Sequence, residues 1–200
     1  MLSPYERLQL DGLHPRLVAY FSTIPSGSVG RGDGIFDVVG TPRRWLWPVL
    51  WVLGRQGVVF PFWGSVPFTV TNQQTDAGLA AMRTFQFPTG PRSMSDLMSA
   101  RDGGLRDELG SHQRYRVDLV ASVVDNGALR LRSVRMSVRL GRIHLPIPAT
   151  VSVTERWDDT VQRQHVAAFI DVPVVGRVYE YAGYFDYAVL DEGGADVPAP

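Results

Sequence analysis

The chain contains no cysteine and no lysine. Without cysteine there is no disulfide, thiolate nucleophile, iron–sulfur cluster or cysteine-ligated zinc, and the redox compartment leaves no mark. Without lysine there is no Schiff-base chemistry, no pyridoxal phosphate attachment and no P-loop lysine. All 20 basic residues are therefore arginine, and they balance 20 acids to a net charge of zero. A GC-rich genome accounts for such a composition without any function. Zero net charge gives no field to draw in nucleic acid, so none is expected as a partner. No motif calls for a cofactor, and none is expected.

Long hydrophobic runs are also missing. The most apolar stretch, Trp45 to Leu53, is about half the roughly 20 residues of a spanning helix, and Pro48 interrupts it. Met1 to Leu10 carries Glu6 and Arg7 with no apolar centre, so it does not read as a signal peptide. A cytoplasmic protein is the default expectation. At 200 residues and 44% hydrophobic, the chain is long enough to bury one sizeable core. A single β-rich domain is expected over residues 1–190. Residues 191–200, rich in Gly, Ala, Pro and acid, read as a disordered tail.

Leu13 to Phe21 reads as a short helix, with Pro15 in its first turn and Leu13, Leu17, Tyr20 and Phe21 on one face. Gly27 to Gly34 reads as a flexible loop or lid feeding a strand at Ile35 to Val39, with Arg31 as an anion contact. It is no dinucleotide fingerprint, because it follows a helix and opens a strand. Pro42 to Arg55 reads as a second helix, rich in tryptophan, restarted at Pro48 and stopped by Gly54 and Gly57.

Beyond Phe60 the hydrophobic period changes to two. Strands are expected at Pro67–Asn72, Leu79–Phe87, Gln113–Val124, Ala128–Val134, Arg135–Leu140, Ala149–Trp157, Val161–Val172 and Arg177–Leu190. Asp125-Asn126-Gly127 and Asp158-Asp159-Thr160 read as hairpin turns. Asp96 to Leu109 is expected to hold a short helix. Pro146 and Pro148 mark a sheet edge or a crossing. The expected fold is α+β and β-rich: a large antiparallel sheet curled into a barrel or half-barrel, covered by two N-terminal helices. Such a sheet holds either a filled core or one ligand cavity.

Two charges fall on apolar strand faces. Arg83 is in step with Phe85 and Phe87, and Glu155 with Val151, Val153 and Trp157. An unpaired charge there costs roughly several kcal/mol, so each needs a partner or a wet cavity. The last strand sets Tyr179, Tyr181, Phe185 and Tyr187 on one face, broken by Gly183; their rings and hydroxyls suit an amphipathic ligand. Arg83, Glu155, Tyr179, Tyr181 and Phe85 are thus the expected ligand-binding residues.

Other patterns have plainer readings. The tryptophan segment, Trp45, Trp47 and Trp51 beside Arg43, Arg44 and Arg55, suits peripheral membrane contact, but covering the sheet is the simpler expectation. Arg130, Arg132, Arg135, Arg139 and Arg142, with Arg114 and Arg116, read as a solvated outer face. The histidines at 14, 112, 144 and 165 have no metal-ligand spacing, so no metal is expected.

The order of motifs resembles an uncharacterised bacterial family, number four-one-six-six among the domains of unknown function. The residues that carry it are Leu13-His14-Pro15, Phe60-Pro61, Val66-Pro67-Phe68-Thr69-Val70-Thr71-Asn72 and Arg83-Thr84-Phe85-Gln86-Phe87-Pro88. They continue with Leu145-Pro146-Ile147-Pro148, Glu155-Arg156 and Val175-Gly176-Arg177-Val178-Tyr179-Glu180-Tyr181-Ala182-Gly183. The resemblance spans about Leu13 to Tyr187. It implies no assigned activity and no catalytic residue. It does imply an occasional reductase-like partner domain, and hence a small-molecule partner.

The reading that results is a binding module for a small apolar or amphipathic molecule, acyl- or isoprenoid-like with an anionic head. The alternatives are an enzyme in the same cavity, with Glu155 as base and Arg83 stabilising an oxyanion, and an interaction domain with a dry core.

Overall fold

The computed structural model describes residues 2–41, 43–48, 51, 62–101 and 103–191. Eleven strands follow one another: β1 (Ser28–Gly40), β2 (Trp63–Thr75), β3 (Gly78–Phe87), β4 (Gly90–Arg101), β5 (Gly104–Leu109), β6 (Tyr115–Val124), β7 (Ala128–Leu140), β8 (Ile143–Pro146), β9 (Thr150–Asp158), β10 (Arg163–Val172) and β11 (Gly176–Asp191). All pairings are antiparallel. Ten strands close a ring in the order β1 to β7, β9, β10, β11 and back to β1, while β8 pairs only with β7 as a short flap. An eight-stranded barrel has an interior just wide enough for side chains or one small ligand; ten strands give a wider one.

The α-helix α1 (Pro15–Phe21) closes an end of the barrel. His14 caps it, its Nδ1 accepting the Arg16 N–H at 3.2 Å, and Pro15 occupies the first helical position. Leu17 and Phe21 bury against Leu79, Leu105, Leu119 and Leu129. The Ser3 hydroxyl donates to the Phe21 carbonyl at 2.6 Å, and the His14 N–H donates to the Gly127 carbonyl at 2.9 Å. These bonds fix the N-terminal segment as a plug. A second cluster, mostly aromatic (Phe36, Phe68, Phe85, Phe87, Tyr115, Tyr179), fills the opposite half of the barrel.

The sheet and its closure agree with the period-two pattern, but several expected elements differ. The second covering helix is not supported. Arg44–Leu46 forms a 3-10 turn and Trp47, Pro48 and Trp51 are helical, but Trp45 and Trp51 are 63% and 56% exposed, so the segment does not cover the sheet; much of the rest of Pro42–Arg55 lies outside the described residues, as do Phe60, Pro61 and the expected tail beyond Asp191. The helix expected in Asp96–Leu109 is the end of β4 and all of β5. Met94, Asp96 and Met98 alternate inward, and a turn at Gly103 (φ +77°) follows. The two strands expected to meet at Val134/Arg135 are one. Arg135 faces Asp118 and Ser133 faces Leu119, so Val134 is the extra residue of a bulge and points to solvent.

Gly27–Gly34 is not a loop or lid. From Ser28 it is β1, paired on both sides. Its inward positions, Gly30, Gly32 and Gly34, lack side chains, and β11 fills the space. A Cβ on Gly30 would meet the Tyr187 ring, and one on Gly32 would lie 3.0 Å from Phe185. A Cβ on Gly34 would collide with the Tyr184 carbonyl oxygen, and one on Gly183 with that of Ile35. The seam that closes the barrel therefore depends on bare backbone. Gly34→Ala is expected to lower stability by about 1–3 kcal/mol in urea unfolding, whereas Arg31→Ala on the outer face of the same strand should leave it nearly unchanged. Equal effects would show that the seam has room.

Candidate functional site: a polar belt in the barrel

Alternation along β3, β4, β5 and β9 turns Arg83, Asp96, Asp107 and Glu155 into the interior. On β3 to β5 these charges sit between the two apolar clusters: Leu79 and Ala81 precede Arg83, and Phe85 and Phe87 follow it. The polar groups thus form a belt across the waist of the barrel. Beside it lies a cavity of about 110 Å³, lined by Arg83, Asp107 and Glu155 together with Tyr20, Tyr179, Tyr181 and Phe185. Met94, Met98 and Met136 also line it, and such unbranched side chains shift easily to admit a guest.

The Arg83 guanidinium bonds directly to the Asp96 carboxylate. Asp96 is buried, but Arg83 keeps 22% of its side-chain surface uncovered. Arg83 also lines the cavity. Glu155 does not bond to Arg83. It accepts a hydrogen bond from Gln164 Nε2 at 2.6 Å, across the β9–β10 pair. Asp107 Oδ1 is buried without a hydrogen-bond partner. At the plug side, Asn72 joins the Tyr20 and Tyr187 hydroxyls, and their rings meet edge to face at 4.6 Å.

Burial dominates the titration of this belt. It raises the Glu155 carboxyl to about 7, although Arg83 and the Gln164 bond pull it down. It raises Asp107 well above the usual carboxylate range, helped by the like charge of Asp96 and opposed by Arg83. Burial alone would lower Arg83, but Asp96 outweighs it and the guanidinium is held above its ordinary value. Burial also pushes Asp96 up while Arg83 pulls it back. Asp96 stays ionised, because a neutral Asp96 would leave a buried cation unpaired. The belt thus holds one ion pair beside two carboxyl groups, Asp107 and Glu155, that burial makes harder to ionise.

The structure brings Arg83, Glu155, Tyr179 and Tyr181 to one cavity, as their strand phases imply. Phe85 is not on its wall; it packs among Phe36, Phe68 and Phe87. Arg31 is far from it on the outer face of β1, paired with Asp33 at 3.0 Å. Asp96 and Asp107 are not among the residues singled out from the sequence, because that stretch reads as a helix. The signal was present: Met94-Asp96-Met98 and Leu105-Asp107-Leu109 alternate just as Arg83 does with Phe85, and Gly103 marks the turn between them. On the outside, Arg106 pairs with Asp118 at 2.7 Å and Arg116 with Glu108 at 2.9 Å. His165 is half-buried against the Tyr184 ring, and burial lowers its pKa.

The profile of the family described as "Domain of unknown function (DUF4166)" matches residues 13–185, and the chain belongs to that family. Neither the curated proteins nor the solved structures give a significant match. Among the described residues, no helix is long and apolar enough to cross a membrane, and no group of histidines and carboxylates is arranged to hold a metal ion.

Two outcomes follow from the belt. Arg83→Met should lower stability by about 3–5 kcal/mol, by stranding Asp96, and the double variant Arg83→Met/Asp96→Leu should recover much of that loss in denaturant titrations. No recovery would mean that Arg83 acts other than through Asp96. Glu155 binds its proton more tightly folded (about 7) than unfolded (4.5), so its contribution is full below 4.5 and is lost as pH rises towards about 7. Glu155→Gln should therefore be more stable than the parent at about pH 8 and closer to it at about pH 5; an unchanged difference would count against a buried acid.

Proposed function

We propose that the barrel is a binding module for a slender apolar or amphipathic molecule, acyl- or isoprenoid-like, whose polar end rests at the belt. The observation that carries this reading is a closed β-barrel whose apolar, aromatic- and methionine-lined cavity ends on polar groups, one of them the unpartnered Asp107 oxygen. A buried polar atom without a partner is costly, and a guest with a hydroxyl, amide or other neutral donor would satisfy it. The anionic head expected from Arg83 alone fits poorly. Arg83 is already neutralised by Asp96, and two more carboxyl groups share the site. At about 110 Å³ the space is below the roughly 300–1,000 Å³ of drug-sized pockets, which favours a thin chain or a guest that displaces methionines.

A second reading is an enzyme in the same cavity. A Glu155 carboxyl near 7, hydrogen-bonded and within the field of Arg83, is suited to take and return a proton at neutral pH. Both readings require that the cavity accept a guest, which a dry interaction domain would not.

Native mass spectrometry of the purified protein, with organic extraction of anything bound, is the direct test. A retained or acquired apolar molecule is expected. Ala168→Leu, which fills the cavity wall from β10, should cut uptake about tenfold or more without loss of fold. A protein that stays apo after exposure to mixed lipids would sink the binding reading. Uptake with turnover that Glu155→Gln abolishes would move the weight to the enzyme.

A further inference from the structure

In a closed antiparallel meander, successive connections alternate between the two ends of the barrel. The plug occupies the end that carries the β2–β3, β4–β5, β6–β7 and β9–β10 turns. The other end carries the segment between β1 and β2, the β7–β8 hairpin and the β10–β11 turn. Leu46, from the first, and Ile147, just after β8, both pack on the aromatic cluster in that half. The two connections therefore flank the same end.

That end is apolar where it meets solvent. Trp45, Trp47 and Trp51 are exposed on the first connection, Ile143 (62%) and Leu145 on the hairpin, and Val174 on the β10–β11 turn. It is also basic. Among the described residues, Arg43, Arg44, Arg92 and Arg142 form no ion pair, whereas Asp171 and Glu180 are both engaged by Arg177. Asp37 is the further acid towards this end. The Arg44 guanidinium lies 5.9 Å from the Trp47 ring centroid, so cation and indole are presented together. The plugged end also exposes apolar residues, Leu2, Val18 and Val161, but there Asp11, Asp76, Asp125 and Asp159 stand beside Arg7, Arg16 and Arg101. Zero net charge thus hides an uneven distribution.

We propose that the end opposite the plug docks on an anionic lipid surface, with Trp45, Trp47 and Trp51 entering the interface and Arg43, Arg44 and Arg142 meeting lipid phosphates. Indole rings favour the headgroup level, and planar guanidinium groups bind phosphate in bidentate fashion. Charge complementarity chooses this occupant. A neutral apolar partner would leave the arginines unmatched, whereas a lipid surface offers phosphates to the arginines and a headgroup layer to the indoles. The arrangement is independent of what the cavity holds.

Vesicle co-sedimentation tests it on the full chain, using phosphatidylcholine alone and phosphatidylcholine mixed with phosphatidylglycerol. Retention on the mixed vesicles at low salt is expected, weakening as salt rises. Arg43→Glu/Arg44→Glu and Trp45→Ser/Trp51→Ser should each reduce it by about tenfold or more, with melting curves like the parent's because these side chains are at the surface. No retention on mixed vesicles at low salt would overturn the proposal and return the face to a protein partner. Retention that neither variant weakens would overturn it too. Neither result bears on ligand uptake, which is read without vesicles.

Discussion

Closure of the barrel is the constraint on which the rest depends. β1 and β11 stand at opposite ends of the described chain and must meet over twelve register pairs to complete the ring. They can approach because Gly34 and Gly183 place no side chain in the seam, and because Gly30 and Gly32 leave room for Tyr187 and Phe185. If the seam opens, there is no inside. Arg83, Asp96, Asp107 and Glu155 would then be ordinary solvated residues with ordinary titration, and the cavity would not exist.

Given closure, the interior is a compromise between packing and polarity. Two apolar clusters supply the stabilisation, and the belt between them works against it. Four ionisable groups desolvated in one place are costly, and the Arg83–Asp96 pair only partly offsets that cost. A simpler barrel would carry leucine at all four positions. Asp107 is left with an unpartnered oxygen and Glu155 with a raised pKa, and the proposed guest rests on these two features.

The outside has its own polarity. The helix and the N-terminal segment seal one end with hydrogen bonds and buried leucines, while the other end is rimmed by indoles and arginines. One end is sealed by the chain itself, and the other presents its indoles and arginines to solvent. The cavity and the basic rim are separable features, because one is set by inward alternation and the other by the connections.

By itself the sequence determined the period-two pattern, the meander, the capped helix at Pro15 and the inward phase of Arg83 and Glu155, because alternation and capping are local. The absences of cysteine and lysine also excluded whole chemistries outright. Only the tertiary structure decided which charges meet. Arg83 found Asp96 rather than Glu155 because β3 lies beside β4 and far round the ring from β9, and strand neighbours are a non-local fact. It likewise decided that the glycine run is a strand: three glycines look like a loop until a facing strand supplies the side chains they lack. And it decided where the tryptophans go. An apolar segment reads as a cover for the core, but the barrel covers itself by closing, so those rings are left at the surface.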